Sequence, residues 1–443
     1  MQLFELTAYE KMLLKTSRSG DCLVMSSAFL EMENVVLTKA IVLQALKCMT
    51  KRHPFLRSTL LFDSDKVFLK INNSVNDKIE FEWLDLTHKI TNRCDLIAIC
   101  AQFNSTKFNF SDGLQWRTQL IKYKNDAGVK YLINFVINLF LSDGINAMAL
   151  CIEIINIVNS ILNGDICEEM KVILDPIESL DFYSKSLINW KRVEDLIMNK
   201  KDGKFLLPIK FGSKDPGFLL DFFKIDSFTT KKIQEICKKN SCRLTAYFYA
   251  LFTNALKDLY SKNEVKFNRK VIVDLSANMR FRYEKCLDLS DIRCHSSWAK
   301  FNTVFNFKNF WHDVKSLDAK IKQKLSVDYG LLFSVTHNYK MLNQFNQDDF
   351  ILKGVQNDFV LSNLGKYVSE GVKVYPGKIK IKEFYCSDSL QSKPVVCPAI
   401  IAHVMLWNDE LMIQVGANKS KIDKAYFDDF IQLFKNNLYN NIE

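Results

Sequence analysis

The sequence predicts an α/β (α+β) protein of two lobes, each a mixed sheet with helices packed on it. Three observations lead there. Segments with helical period and segments with strand character interleave along the whole chain. The 443 residues exceed one ordinary domain of roughly 150 residues and leave room for more than one core. A stretch of weak periodicity carries Pro176, Pro208 and the cluster Gly212-Ser213-Lys214-Asp215-Pro216-Gly217, which is the composition of a connection. The expected division is one lobe over residues 1–165, a connection over 166–217 and a second lobe over 218–443.

Each element has a local reason. Thr38 caps a helix over Leu37–Arg52, where Ile41, Val42, Ala45, Leu46 and Met49 share a face. Pro54 stops it at His53. Cys22–Met32 and Phe55–Phe62 read as strands. Leu114–Tyr123 and Val129–Leu139 read as a hairpin around Lys124-Asn125-Asp126-Ala127-Gly128. After Asp143-Gly144 a helical period begins and runs to Asn163-Gly164. In the second lobe, Thr229–Lys239, Leu244–Tyr260, His312–Leu325 and Asp423–Leu438 have helical spacing. Lys270–Leu275, Phe359–Asn363, Gly377–Tyr385, Ala399–Trp407 and Glu410–Val415 read as strands.

Composition excludes several classes. With 14 Gly, 7 Pro and 25% charged residues, the chain is neither collagen-like nor largely disordered. The first 20 residues carry Glu5, Glu10 and Lys11 and lack the apolar core of a signal peptide. Apolar runs such as Phe135–Leu141 are too short for a bilayer span, so a cytoplasmic protein with no membrane span is expected. The surplus of 60 Lys and Arg over 50 Asp and Glu is spread out, with no basic block, so no nucleic-acid partner is expected. The 12 cysteines include the pairs Cys94/Cys100, Cys237/Cys242 and Cys286/Cys294. None has C-x-x-C spacing, and free thiols are expected. The 6 histidines lie far apart, so no metal site is expected.

Several segments, taken in order, resemble one superfamily. Met49-Thr50-Lys51-Arg52-His53-Pro54-Phe55-Leu56-Arg57 is similar to a helix end reading rHPxLR. Phe108-Asn109-Phe110-Ser111-Asp112-Gly113-Leu114-Gln115-Trp116-Arg117 resembles the approach to a central strand. Asn138-Leu139-Phe140-Leu141-Ser142-Asp143-Gly144 stands where the signature HHxxxDG belongs, and Val360-Leu361-Ser362-Asn363-Leu364-Gly365 resembles an SNlG turn. The chain thus resembles the CoA-dependent acyltransferases, which include alcohol O-acetyltransferases, BAHD enzymes and condensation domains. The resemblance implies two chloramphenicol-acetyltransferase-like lobes in a V, with a tunnel between them. It implies acyl transfer from CoA or a carrier thioester to a hydrophobic alcohol or amine. Acyl-CoA would be a substrate, no cofactor would be held permanently, and the protein would act as a monomer.

The motif breaks at the residue that carries the chemistry. By resemblance the second His of HHxxxDG is the general base, a role that suits imidazole because it titrates near working pH. That position is Leu139, preceded by Asn138, and no His lies between His88 and His295. Leucine accepts no proton, and an amide is no base at neutral pH. Asp143 and Gly144 keep the remainder of the motif. The resemblance gives Asp143 a structural role, paired with an Arg after a second-lobe strand; here that is Arg280, with Arg282 as the alternative. Ser362 and Asn363 correspond to tunnel residues. His53, His337 and His403 match no catalytic position. Three classes of function stay open: a CoA-dependent acyltransferase, impaired at its base or working with a displaced or substituted one, an inactive relative that binds an acyl-thioester or hydrophobic small molecule, and a protein-interaction scaffold.

Overall fold

The computed structural model describes residues 2–18, 23–64, 66–74, 76–164, 172–178, 217–267, 270–280, 287–289, 291–324, 358–367, 377–390 and 399–442. Its elements, in chain order, begin with β1 (Gln2–Glu5), α1 (Ala8–Arg18), β2 (Leu23–Met32) and α2 (Lys39–Arg52). A 3-10 turn at Pro54–Arg57 leads into β3 (Ser58–Asp63), β4 (Lys66–Ile71), β5 (Phe81–Ile90) and α3 (Arg93–Ser105). Then come β6 (Trp116–Asn125), β7 (Gly128–Asn138) and α4 (Gly144–Leu162). The later part holds β8 (Phe218–Ile225), α5 (Ser227–Lys239), α6 (Leu244–Lys262), β9 (Lys270–Asn278), β10 (Ser296–Val304) and α7 (Phe310–Lys324). It ends with β11 (Phe359–Lys366), β12 (Ile379–Asp388), β13 (Ile400–Trp407), β14 (Glu410–Asn418) and α8 (Lys424–Asn440).

The chain forms two compact units, and their boundaries differ from the expected contiguous division. The first comprises the described residues of Met1–Tyr183 together with Arg280–His295 and Lys366–Ser389; the rest forms the second. Two segments expected in the lobe at 218–443 therefore belong to the first unit. The physical reason is pairing: β12 completes the first unit's sheet on β2, and Arg280–His295 is held there by buried ion pairs. Most of the expected connection, 166–217, lies outside the described residues.

The first unit has a 5-stranded sheet in the order β12-β2-β7-β6-β5 and a small 3-stranded sheet β1-β4-β3. The larger one is mixed, since β5 pairs parallel to β6 while the other pairs are antiparallel. A polar ladder, buried at Ser27, Asn134 and Gln119 and exposed at Glu82, crosses it at matched register. Ser27 stands opposite Asn134, Asn134 opposite Gln119 and Gln119 opposite Glu82. Ser27 Oγ donates to Asn134 Oδ1 (2.8 Å), Asn134 Nδ2 to Gln119 Oε1 (2.8 Å) and Gln119 Nε2 to Glu82 Oε2 (2.6 Å). A one-residue slip would send these side chains to the opposite face, so the ladder fixes which residues reach the end of β7.

Helix α4 packs on this sheet and on α2. Sequence inspection passed over it as a span. Its apolar window has mean hydropathy 1.8, long and apolar enough to cross a membrane, yet 78% of the window is buried inside the protein. It is a core helix. Asn159, buried on α4, accepts from Ile379 N–H (2.9 Å) and donates to Ile379 C=O (2.9 Å), tying the helix to the start of β12.

The second unit has a 6-stranded sheet, β10-β9-β11-β13-β14-β8. Helices α5, α6, α7 and α8 contribute to a core rich in aromatic rings; Phe252 and Phe434 stack at 4.3 Å. The expected strand at Phe55–Phe62 begins three residues later, because Pro54 first sets a 3-10 turn.

The ladder yields a prediction. Asn134→Leu leaves Ser27 and Gln119 buried without their partner. It should lower the stability of the first unit by about 1–3 kcal/mol. Denaturant unfolding of the variant with the parent as reference checks this, and an unchanged midpoint would show that the ladder contributes nothing.

Candidate functional site

The stretch that resembles HHxxxDG lies where β7 meets α4. Asn138 is the last residue of β7. Its N–H donates to Gln115 C=O (2.9 Å), and its own carbonyl accepts from Leu141 N–H (2.9 Å) and Ser142 N–H (3.1 Å). The side-chain amide is buried and occupied, with Oδ1 2.6 Å from Ser17 Oγ and Nδ2 3.4 Å from Gln115 Oε1. Asn138 therefore shapes the turn. Leu139 follows it in that turn and is half-buried. It lies one residue past the end of β7, where the strand had been expected to include it.

Asp143 closes the turn as the N-cap of α4, with an extended backbone (φ −125°, ψ 179°). Its Oδ1 accepts from Asn146 N–H at 3.1 Å, which satisfies an otherwise unpaired donor at the positive end of the helix. Gly144 is the first helical residue. The other carboxylate oxygen, Oδ2, receives Arg280 Nη1 (2.7 Å) and His295 N–H (2.9 Å). Arg280 is fully buried, and the expected pairing with Asp143 is present. The alternative partner, Arg282, lies outside the described residues.

Around this pair stands a network that sequence reading missed. Arg280 Nη2 donates to Asn146 Oδ1 (2.7 Å) and to Arg293 C=O (3.1 Å). Asn146 Nδ2 donates to Leu289 C=O (2.6 Å) and Asp291 C=O (2.8 Å). Arg293 grips Glu10 with two bonds, Nε to Oε1 at 2.8 Å and Nη2 to Oε2 at 2.9 Å. Glu10 also accepts from Thr7 N–H (2.8 Å), while Thr7 Oγ1 accepts from Glu10 N–H (3.2 Å). This is a capping box at the start of α1, and its Thr-x-x-Glu spacing was the one readable signal for Glu10. Tyr367 Oη donates to Ile145 C=O at 2.7 Å.

His295 carried no motif and stood far from Asp143 in sequence, so nothing singled it out. It is fully buried. Burial, and then the positive charges of Arg280 and Arg293, hold its imidazole well below the ordinary value, so the ring stays neutral near pH 7.

The remaining candidates have other surroundings. Ser362 and Asn363 lie in the second unit, inside β11 rather than in a turn after it, because the strand continues to Lys366. Asn363 Nδ2 donates to Thr245 Oγ1 (2.9 Å), and its Oδ1 accepts from Gly365 N–H (3.0 Å). His403 Nδ1 is 2.7 Å from Gln414 Oε1 in the core, and His53 Nε2 is 2.8 Å from Glu153 Oε2 at the end of α2. His337 lies outside the described residues. Among the described residues, no group of three or more His, Cys, Asp or Glu is placed to hold a metal ion.

No family model and no curated protein matches the chain. Solved structures do. Trichothecene 15-O-acetyltransferase from Fusarium sporotrichioides aligns at TM-score 0.68 and 12% identity, over 98% of this chain and 94% of that one. The condensation domain from the Monacolin K polyketide synthase aligns at 0.67 and 12%, over 100% and 98%. The epimerization domain from the third module of tyrocidine synthetase B aligns at 0.65 and 14%, over 100% and 98%. The chain has the condensation-domain fold. A condensation-domain fold over essentially the whole length agrees with the α/β architecture expected from the sequence. At such low identity the likeness concerns the fold, and the chemistry of residues 138–144 has to be argued from those residues.

The state of His295 gives a pH prediction. Its folded pKa is depressed, so below the ordinary value of 6.5 the unfolded chain binds a proton that the folded chain does not. Stability should therefore fall as pH drops through about 6.5 and below, by up to ~1.4 kcal/mol per pH unit from this group. His295→Gln should remove that part of the slope. Denaturation midpoints at a series of pH values test it; an identical slope in the variant would show that His295 titrates normally.

Proposed function

We propose that the chain is an acyltransferase relative whose acyl-transfer step is impaired at the general base. The observation that carries this reading is Leu139, an aliphatic side chain at the base position of a turn that keeps Asp143 and Gly144. In acyl transfer from a thioester, the attacking hydroxyl or amine must lose its proton as the new bond forms. Leu139 has no lone pair to take it. The Asn138 amide is neutral and already hydrogen-bonded within the fold. His295 is neutral but weakly basic in its cationic surroundings, which makes it a poor acceptor near pH 7. Absence of a positioned base costs ~10²–10⁴ in rate.

In this reading the partners are acyl-CoA or an acyl-carrier thioester together with a hydrophobic alcohol or amine. Acyl-CoA is a substrate and not a resident cofactor, and nucleic acid is no partner. The protein acts as a monomer in the cytoplasm, where thiols stay reduced; among the described residues the eight cysteines form no disulfide. Binding without efficient turnover is the activity that remains.

Release of free thiol from acetyl-CoA in the presence of mixed alcohols and amines tests the proposal. The expected result is thiol release close to that of the buffer alone. Saturable transfer by the unmodified protein, abolished by Asn138→Ala or Ser362→Ala, would establish a replacement base or activating group and overturn the reading.

A further inference from the structure

Helix α5 ends in a Schellman motif whose two outer residues are cysteines. Asn240 is the C-cap, and Ser241 after it has positive φ (53°). Ser241 N–H donates to Lys238 C=O (3.0 Å), and Cys242 N–H donates to Cys237 C=O (3.0 Å). These are the two hydrogen bonds that define the motif, and a side-chain contact between the outer pair of residues usually accompanies them. Here that outer pair is Cys237 and Cys242. Cys242 Sγ also lies 3.5 Å from Cys237 C=O, which brings its thiol back onto the outer residue of the pair. Cys237 is buried and Cys242 half-buried, so Cys242 is the more accessible residue of the pair.

We propose that Cys237 and Cys242 form a reversible intramolecular disulfide, a redox modification site at the turn between α5 and α6. The backbone bonds of the motif already hold the two residues in register, so closure asks for little rearrangement of the chain. A low-molecular-weight disulfide such as oxidised glutathione serves as oxidant. Cys242, the more accessible residue, attacks as thiolate, forming a mixed disulfide and expelling one glutathione thiolate. Cys237 then attacks the Cys242 sulfur and expels the second. Two protein thiols are oxidised, one glutathione disulfide is reduced, and the two protons given up by the protein thiols are taken up, through solvent, by the two glutathione thiolates to give thiols. Burial raises both thiols above their ordinary value, so the exchange is slow at neutral pH and faster in mildly alkaline buffer.

The turn has neighbours that the bond would affect. Arg243, next in sequence, donates its N–H (3.1 Å) and its Nε (2.9 Å) to Asp318 Oδ1. Thr245, in the first turn of α6, receives the side chain of Asn363. Oxidation would thus stiffen the start of the helix that holds one of the candidate residues.

Trypsin makes the test direct, because Lys238 and Lys239 lie between the two cysteines. The full chain is incubated with oxidised glutathione in mildly alkaline buffer, alkylated and digested. The expected result is that the peptides Ile233–Lys238 and Asn240–Arg243 travel as one species, lighter than their sum by two hydrogens and separated by reductant. In Cys237→Ser, Cys242 should instead accumulate as a stable glutathione adduct, and in Cys242→Ser the linked species should vanish. Recovery of both peptides separately alkylated, a persistent Cys242 adduct in the parent protein, or linkage of either sulfur to a third cysteine would overturn the proposal. The parent digest decides the matter even if a variant fails to fold.

Discussion

The carboxylate of Asp143 sits at a junction on which much of the first unit depends. One oxygen caps α4, and the other receives a buried guanidinium and a backbone N–H from a segment more than a hundred positions away. In a medium of low polarity, a buried ion pair is tolerable only when its remaining donors and acceptors are also engaged. Asn146, Arg293 and Glu10 supply that engagement. Removing one partner would leave an uncompensated buried charge, at a cost of about 3–5 kcal/mol. The pair thus explains why Arg280–His295 belongs with the first unit although β9 and β10 on either side of it are paired in the second unit's sheet.

This arrangement also separates folding from chemistry. The shape of the turn after β7 comes from the Asn138 carbonyl, the Asp143 cap and the Arg280 pair. The Leu139 side chain takes no part in any of these hydrogen bonds. A residue there can change from a base to an aliphatic group while the turn, the helix start and the ion pair stay as they are.

Much of this was legible in the sequence, and the reasons are local. The helix ending at His53-Pro54, the β6–β7 hairpin and the helix after Asp143-Gly144 each carried a strong period and a clear stop, and each is present. Strands β1, β4, β5, β8 and β10 and helices α1 and α3 were passed over. The period of β5 is blurred because its side chains are half-exposed or exposed, and α3 is apolar on more than one face. The Asp143–Arg280 contact came from the resemblance, since nothing in spacing joins residues so far apart. Glu10 announced a capping box but not its second partner, Arg293. His295 gave no signal, because its role depends on two arginines that only the fold brings near. Contiguous lobes were expected because sequence order says nothing about which sheet a late strand such as β12 completes.

The most direct test of the account is a double-mutant cycle on the central pair, using Asp143→Asn, Arg280→Met and the combination, with stability read by denaturant unfolding. If the pair is the junction described, each single change is strongly destabilising and the combined change costs much less than their sum. The predicted coupling lies toward the upper end of the ~0.5–3 kcal/mol seen for residues in contact. Losses that add to within about 0.5 kcal/mol would mean that the two residues act independently, and would contradict the central role given to their contact.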